Sequence, residues 1–250
     1  MIARTFATLL AVAATALPAR ADEGWRFQIT PYAWVPAVST SLKPASWAPT
    51  IHTKMTERDV LKDLNGAFFL TGTARYKRLV LLADLTWASL SDSGSITLAN
   101  NLQIGAKAKL TQMSFTLAAG YTVIRRPTWL TVDVLAGVRV WRIRGELDVN
   151  FFGLVDYDVG TTRWWADPII GVRAHVYLAR RWTIIAYADG GGFGAGSDST
   201  WQVVGTLNFQ ALKKLYISVG YRHMSARYRD GGIRLDFDMS GPLIGFTWRF

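Results

Sequence analysis

From Gly24 to Phe250 apolar residues recur at every second position, in segments separated by turn-like or basic breaks. This period of two is the side-chain period of a β-strand, and it constrains the fold more than any other feature. The stretch 130–140 shows it well. Leu130, Val132, Val134, Ala136, Val138 and Val140 hold one parity, and Thr131, Asp133, Gly137 and Arg139 are interleaved. In a soluble sandwich Asp133 and Arg139 would face water and the other parity a core. In a membrane barrel the apolar parity meets lipid and the charged parity lines the lumen.

Ten such segments are read, at 24–38, 66–76, 79–90, 106–124, 129–145, 165–178, 182–193, 200–210, 215–227 and 234–250. After the N-terminal region no apolar run approaches the roughly 20 residues of a membrane-crossing helix. The expected fold class is therefore all-β: a transmembrane antiparallel up-and-down β-barrel of ten strands, eight and twelve being the neighbouring even counts. Tight breaks fall at Lys77-Arg78, Arg125-Arg126, Arg180-Arg181 and Lys213-Lys214. Longer polar connections are expected near 39–65, 91–105, 146–164, 194–199 and 226–233. Short turns on the periplasmic side and longer loops outside are the habit of bacterial outer-membrane barrels, which puts the basic turns and both termini in the periplasm. Paired basic residues suit a solvated turn and also suit anionic headgroups of the inner leaflet.

Met1 to Ala21 carries Arg4, an apolar stretch from Phe6 to Leu17 and then Ala19-Arg20-Ala21, the layout of a secretory signal with a small-x-small cleavage site. Residues 1–21 are expected to be a signal peptide and 22–250 the barrel. The net charge of +10 would suggest nucleic acid in a cytosolic chain. For an exported chain, outer-membrane lipids and lipopolysaccharide are the expected partners, and nucleic acid is not. With no cysteine and three histidines, neither a disulfide framework nor a metal or cofactor site is expected.

Aromatic residues fall where interfacial girdles belong. Trp25, Tyr76, Trp129, Trp182, Trp248 and Phe250 lie near the turn ends of segments, and Trp34, Trp87, Trp141, Trp164, Trp165 and Trp201 near the other ends. Trp34 and Trp141 have lumen parity and count as lumen or mouth fillers. Pro31, Pro36, Pro168 and Pro242 each remove a ladder donor, so bulges or strand ends must absorb them.

The ending Gly245-Phe246-Thr247-Trp248-Arg249-Phe250 resembles the C-terminal signal read by the barrel-assembly machinery, with Gly245, Trp248 and Phe250 at the matching positions. It departs from that pattern at Leu243, where a polar residue is usual. The assembly machinery is thus an implied partner. More of the chain is similar to a poorly characterised family of proteobacterial outer-membrane β-barrel, small porin-like proteins. The likeness runs through Trp25-Arg26-Phe27 with Pro31-Tyr32, Ala166-Asp167-Pro168 with Gly171-Val172-Arg173, Gly191-Gly192-Phe193-Gly194 and Gly220-Tyr221-Arg222. It implies a fold and an outer-membrane location and brings no settled activity.

Lumen parity collects Arg26, Gln28, Thr30, Arg75, Asp84, Thr86, Asp133, Arg139, Asp167, Arg173, His175, Asp189, Gln202, Asn208 and Arg222. Small barrels tend to fill their interior with side chains, and this favours a paired structural network; a narrow path for ions or small solutes is the alternative. Asp84, Asp133 and Asp189 lie at similar offsets from the short turns, which predicts one acidic layer facing Arg75, Arg173 and Arg222. Thr56-Glu57-Arg58-Asp59 before Val60, Leu61 and Leu64 predicts a short amphipathic helix, packed on the rim or closing the mouth. His223-Met224-Ser225 resembles the His-x-Ser pair of outer-membrane lipid A deacylases and shares outward parity with Val219 and Tyr221. The acidic Glu of that pattern is missing, so Asp236 or Asp238 would have to replace it. Ten strands are also the number in the omptin proteases, whose Asp-Asp and Asp-His pairs have no match. The expected role is non-enzymatic, structural or narrow porin-like, with a surface-binding barrel or a lipid A-modifying enzyme as alternatives.

Overall fold

The computed structural model describes residues 24–43, 46–47, 49–98, 102–126, 128–151 and 155–250. The signal-peptide expectation for 1–21 lies outside them.

Among the described residues, twelve strands and one helix follow in the order β1 (Arg26–Trp34), β2 (Ala37–Lys43), β3 (Ile51–Met55), α1 (Glu57–Lys62), β4 (Leu64–Tyr76), β5 (Leu79–Leu98), β6 (Leu102–Arg126), β7 (Leu130–Phe151), β8 (Val155–Ala179), β9 (Trp182–Gly192), β10 (Ser199–Gln210), β11 (Leu215–Asp230) and β12 (Ile233–Arg249). Every pairing is antiparallel. Ten strands, β1 and β4 to β12, run in sequence order and close through β1–β12, with Ile29 opposite Trp248. Closure through β1–β12 pairs the wall strands with neighbours on both sides along the belt, so their backbone groups are satisfied there without water.

The outward parity is apolar around the wall, as lipid requires: Leu117 and Phe115 on β6, Val134 and Val138 on β7, Ile170 and Val172 on β8, and Phe246 and Trp248 on β12 are all exposed. On β7 the run Val132–Val140 matches the ~9–11 residues of a tilted membrane-crossing strand. Beyond it the same parity carries Arg142, Arg144 and Glu146, and Glu146 takes ion pairs from Arg144 and from Lys109 at 3.4 Å. The apolar belt ends there. Trp25, Trp129, Trp182 and Trp248 are exposed at its short-turn margin, and Trp87, Trp164 and Trp201 at the opposite one.

Several expected loops are strand. Most of 91–105 and 146–164 extends the β5–β6 and β7–β8 hairpins, because alternation continues past the belt and the cross-strand register is unbroken from Leu79↔Tyr121 to Leu98↔Leu102. The connection expected at 226–233 shrinks to a turn at Gly231 and Gly232, both at positive φ. The 39–65 loop contains the β2–β3 hairpin and α1.

The prolines mark places where a strand changes partner. β12 pairs with β1 as far as Leu243↔Trp34 and with β2 from Ser240↔Ala37 onward. Pro36 and Pro242 lie at that switch, and Val35 N–H donates to the Pro242 carbonyl at 3.2 Å. Gly241 is required beside them, since a Cβ there would stand 2.0 Å from the Val35 carbonyl oxygen. Pro168 sits where β8 loses β9, the ladder starting at Ile169↔Gly191. Pro31 stays inside β1 opposite Leu70.

Because β2 and β3 leave the barrel line, β4 has no partner on that side beyond Phe69. Helix α1 fills the resulting wedge. Its capping box is complete: Asp59 N–H donates to Thr56 Oγ1 at 3.4 Å and Thr56 N–H donates to Asp59 Oδ2 at 2.9 Å. Val60 is buried there beside a cavity of about 60 Å³ that Trp34, Val38, Leu64 and Phe69 also line. The helix therefore plugs a gap in the wall, whereas Leu61 remains exposed.

Candidate functional site

Most of the lumen-parity side chains, among them Asp84, Asp133, Arg139, Asp189 and Arg222, are buried within the barrel, where the interior falls into three zones along its axis. At the short-turn end Arg75 on β4 reaches across β5 and β6 to Asp133 on β7, with Nη2 to Oδ2 at 2.6 Å and Nη1 to Oδ1 at 3.0 Å. Thr122 accepts from Arg75 at 2.6 Å and donates to Asp133 at 2.7 Å. This bidentate fork fixes both partners.

Two further ion pairs cross the middle. Arg222 donates to Asp84 at 2.8 Å and to the Tyr32 hydroxyl at 2.6 Å, while Tyr32 and Thr71 donate to Asp84 at 3.0 and 2.6 Å. Arg139, on the other side, donates to Asp189 at 2.7 Å, and the Gln202 amide donates to the same oxygen at 2.6 Å. Thr116 and Thr200 accept the other Arg139 N–H groups at 3.0 and 3.3 Å. Among the described residues Asp167 has no cation partner: Trp165 Nε1 and the Ser197 backbone N–H donate to it at 3.1 and 2.6 Å.

The expected single acidic layer is therefore corrected. Asp133 belongs to the short-turn zone and Asp84 and Asp189 to the middle zone, each with its own arginine. Arg173, expected in that layer and the ladder partner of Asp133, makes no ion pair among the described residues; its hydrogen bond goes to Thr73 Oγ1 at 3.3 Å. Arg139, on which the layer did not depend, is the partner of Asp189. The reach of a guanidinium across one or two strands is what residue offsets alone do not encode.

The third zone is apolar. Trp34, Phe69, Trp141, Trp165, Met224, Tyr228, Phe237 and Met239 form one buried cluster toward the long-hairpin end. Trp165 stacks on Tyr228 with ring centres 4.3 Å apart, and Trp141 meets Phe237 edge-on at 5.1 Å. Trp34 and Trp141 are lumen fillers as their parity indicates. Trp165, grouped by sequence with the girdle, also points inward, and its odd parity with Asp167 and Ile169 was the available signal. Below the cluster lies a cavity of about 130 Å³ between Asp84, Arg222 and Tyr187, and below that a vestibule of about 350 Å³ opens at the short-turn end.

On the outside, His223 and Ser225 have outward parity, with Ser225 opposite Trp201 on β10 and Asp238 on β12. His223 Nε2 stands 3.9 Å from Asp238 Oδ1, and the Trp201 ring stacks on the imidazole at 4.6 Å. Ser225 is only 3% exposed. Asp238, one of the two acids named from sequence, is thus the one beside the histidine. Among the described residues no group of His, Asp or Glu is spaced to hold a metal. Gly245, Trp248 and Phe250 lie on or just past the closing strand, Gly245 opposite Tyr32.

No family model matches the chain, and no curated protein matches it. Among solved structures the outer membrane protease OmpT from Escherichia coli superposes with a TM-score of 0.60 at 11% identity, covering 94% of this chain and 99% of that one. The translocator domain of autotransporter NalP from Neisseria meningitidis superposes with a TM-score of 0.50 at 11% identity, covering 98% and 95%. At such identity the likeness is one of fold, and that fold is the outer-membrane β-barrel.

Proposed function

We propose that this chain is an integral outer-membrane protein that acts as a surface-binding barrel, its short turns, Trp25 and Phe250 on the periplasmic side and its lumen a rigid core with no through-path. The observation that carries the reading is the ladder of β5 to β8, which continues past the apolar belt while the lumen beneath it is stoppered by the Trp141–Trp165–Tyr228–Phe237 cluster. In this projecting sheet the β5 side has no β4 partner beyond Leu90, and the β8 side has no β9 partner before Ile169. Free ladder edges held away from the membrane suit capture of an extended polypeptide by strand addition.

Replacing 92–108 and 146–160 with short turns trims both hairpins at paired positions. Cells displaying the trimmed barrel are expected to lose adhesion to immobilised proteins that cells displaying the full chain retain. Equal adhesion by both, with both folded, would remove the surface role. The porin-like reading rests on the mixed-charge lumen, and the purified, refolded barrel is expected to give no discrete conductance in planar bilayers. Discrete openings would restore it.

A further inference from the structure

The vestibule at the short-turn end is lined by Arg26, Arg75, Arg125, Arg173, Arg249 and His175 with Phe250 at its margin, and among the described residues by no Asp or Glu side chain. Asp133, the ladder partner of Arg173, is buried and paired with Arg75, and its Oδ2 stands 3.9 Å from His175 Nε2, beyond hydrogen-bond distance. Arg249 donates to the Tyr216 hydroxyl at 2.7 Å and lies over that ring at 3.8 Å, a contact that orients its charge without neutralising it. Arg173 is 7% exposed and has the single Thr73 contact, and its guanidinium borders both the vestibule and the mid-lumen cavity. His175 is 5% exposed, and its Nε2 has no hydrogen-bond partner.

A buried guanidinium without a counter-charge is costly, and the middle zone shows how this barrel avoids that cost by giving each arginine an aspartate. At the short-turn end a single aspartate, Asp133, is taken up by the Arg75 fork, and among the described residues Arg173 and Arg249 have no carboxylate contact of their own beside the cavity. We propose that this vestibule binds a phosphate-class oxyanion, with Arg173 and Arg249 as the fork and His175 Nε2 as a third donor or acceptor. Planar guanidinium groups converging from β8 and β12 fit the several oxygens of a tetrahedral anion, and Arg26 and Arg125 at the rim raise its local concentration. Free phosphate and the phosphate of a lipid headgroup share this chemistry.

The test uses the full refolded barrel in a neutral detergent, titrated calorimetrically with inorganic phosphate and, separately, with dihexanoyl phosphatidic acid. Saturable binding of either is expected, weakened by about tenfold or more in Arg173→Gln and in Arg249→Gln. The tighter of the two probes identifies the source as free or lipid-borne. Absence of saturable binding of both probes overturns the proposal, as does binding unchanged in both variants. If the inward variants fail to refold, the exposed-rim pair Arg26→Gln and Arg125→Gln serves instead: weaker phosphate binding supports the site and unchanged binding overturns it. The measurement is independent of adhesion, so its failure and that of the surface-binding reading are separable.

Discussion

Arg139 passes over its direct ladder partner Asp167 and gives its Nη2 to Asp189, one strand further on, at 2.7 Å with both side chains fully buried. The neglected Asp167 is held by an indole N–H and a backbone N–H. The two acids are therefore unequal despite similar burial. Asp189→Leu strands a guanidinium without counter-charge and is expected to cost about 3–5 kcal/mol. Asp167→Asn leaves no buried charge behind and is expected to cost about 1–3 kcal/mol. Arg139→Met combined with Asp189→Leu removes both charges and should recover most of the loss. Urea midpoints for refolding into vesicles measure all three, and equal losses for the two single variants would contradict the ordering.

The proposed closure of the lumen is assigned to aromatic side chains rather than to charge. Trp141 and Trp165 stack 6.1 Å apart within the upper cluster. Replacing both by alanine opens the space between the mid-lumen cavity and the long-hairpin end and should cost stability, each large-to-small change being worth about 3–5 kcal/mol. The expected result in planar bilayers is a silent wild type and a conducting double variant. Should the double variant remain silent while folded, the seal lies elsewhere, with the Asp84–Arg222–Tyr32 group as the next layer to open.

The parity of β7 made most of the barrel legible from residues alone: Asp133 and Arg139 inward, Val134 and Val138 outward. Strand number and closure followed from counting such segments between basic turns. Three things were hidden for physical reasons. The extension of β5 to β8 past the belt keeps alternating, but with charged Arg142, Arg144 and Glu146 on the outward parity, which reads as loop if polarity is taken for irregularity. The partner of each buried arginine depends on barrel shear and side-chain reach, so Arg139 to Asp189 could not be read from offsets along single strands. The vestibule is spread over β1, β4, β6, β7, β8 and β12, and no segment of sequence holds more than a fraction of it.

Helix α1 gives a pH dependence with a definite sign. Asp59 lies outside the barrel wall, and its carboxyl is held below the ordinary value of 3.8, first by the hydrogen bond from the Thr56 backbone N–H and then by the Thr56 hydroxyl. A group whose pKa is lowered on folding stabilises the folded form above its unfolded pKa, and this is lost as pH falls through the folded value. Acidification below pH ~4 should therefore loosen the helix N-terminus while the barrel ladder persists. The protection of the Val60 amide, its exchange compared with the intrinsic rate at the same pH, should fall on acidification in the wild type, and Asp59→Asn should show low protection at every pH. An acid response retained in Asp59→Asn would assign the titration to another group.

His223, Ser225 and Asp238 imitate a hydrolytic site on the outer wall, and their geometry is loose. Catalysis by serine needs the base within about 2.6–3.2 Å of the hydroxyl and an acid orienting the far ring nitrogen. Here Asp238 stands 3.9 Å from Nε2, no hydrogen bond joins His223 to Ser225 among the described contacts, and Trp201 covers the imidazole face. A stacked, partly covered histidine at the rim of the belt fits an interfacial anchor, where an aromatic ring and a polar tip meet the headgroups. Lipid A from cells making the protein is accordingly expected to keep the acyl chain number of cells lacking it, and Ser225→Ala to change nothing. Loss of one acyl chain that depends on Ser225 would overturn this and make Asp238→Asn the next variant, because an orienting acid lowers kcat when removed, whereas an acid that merely solvates the rim does not.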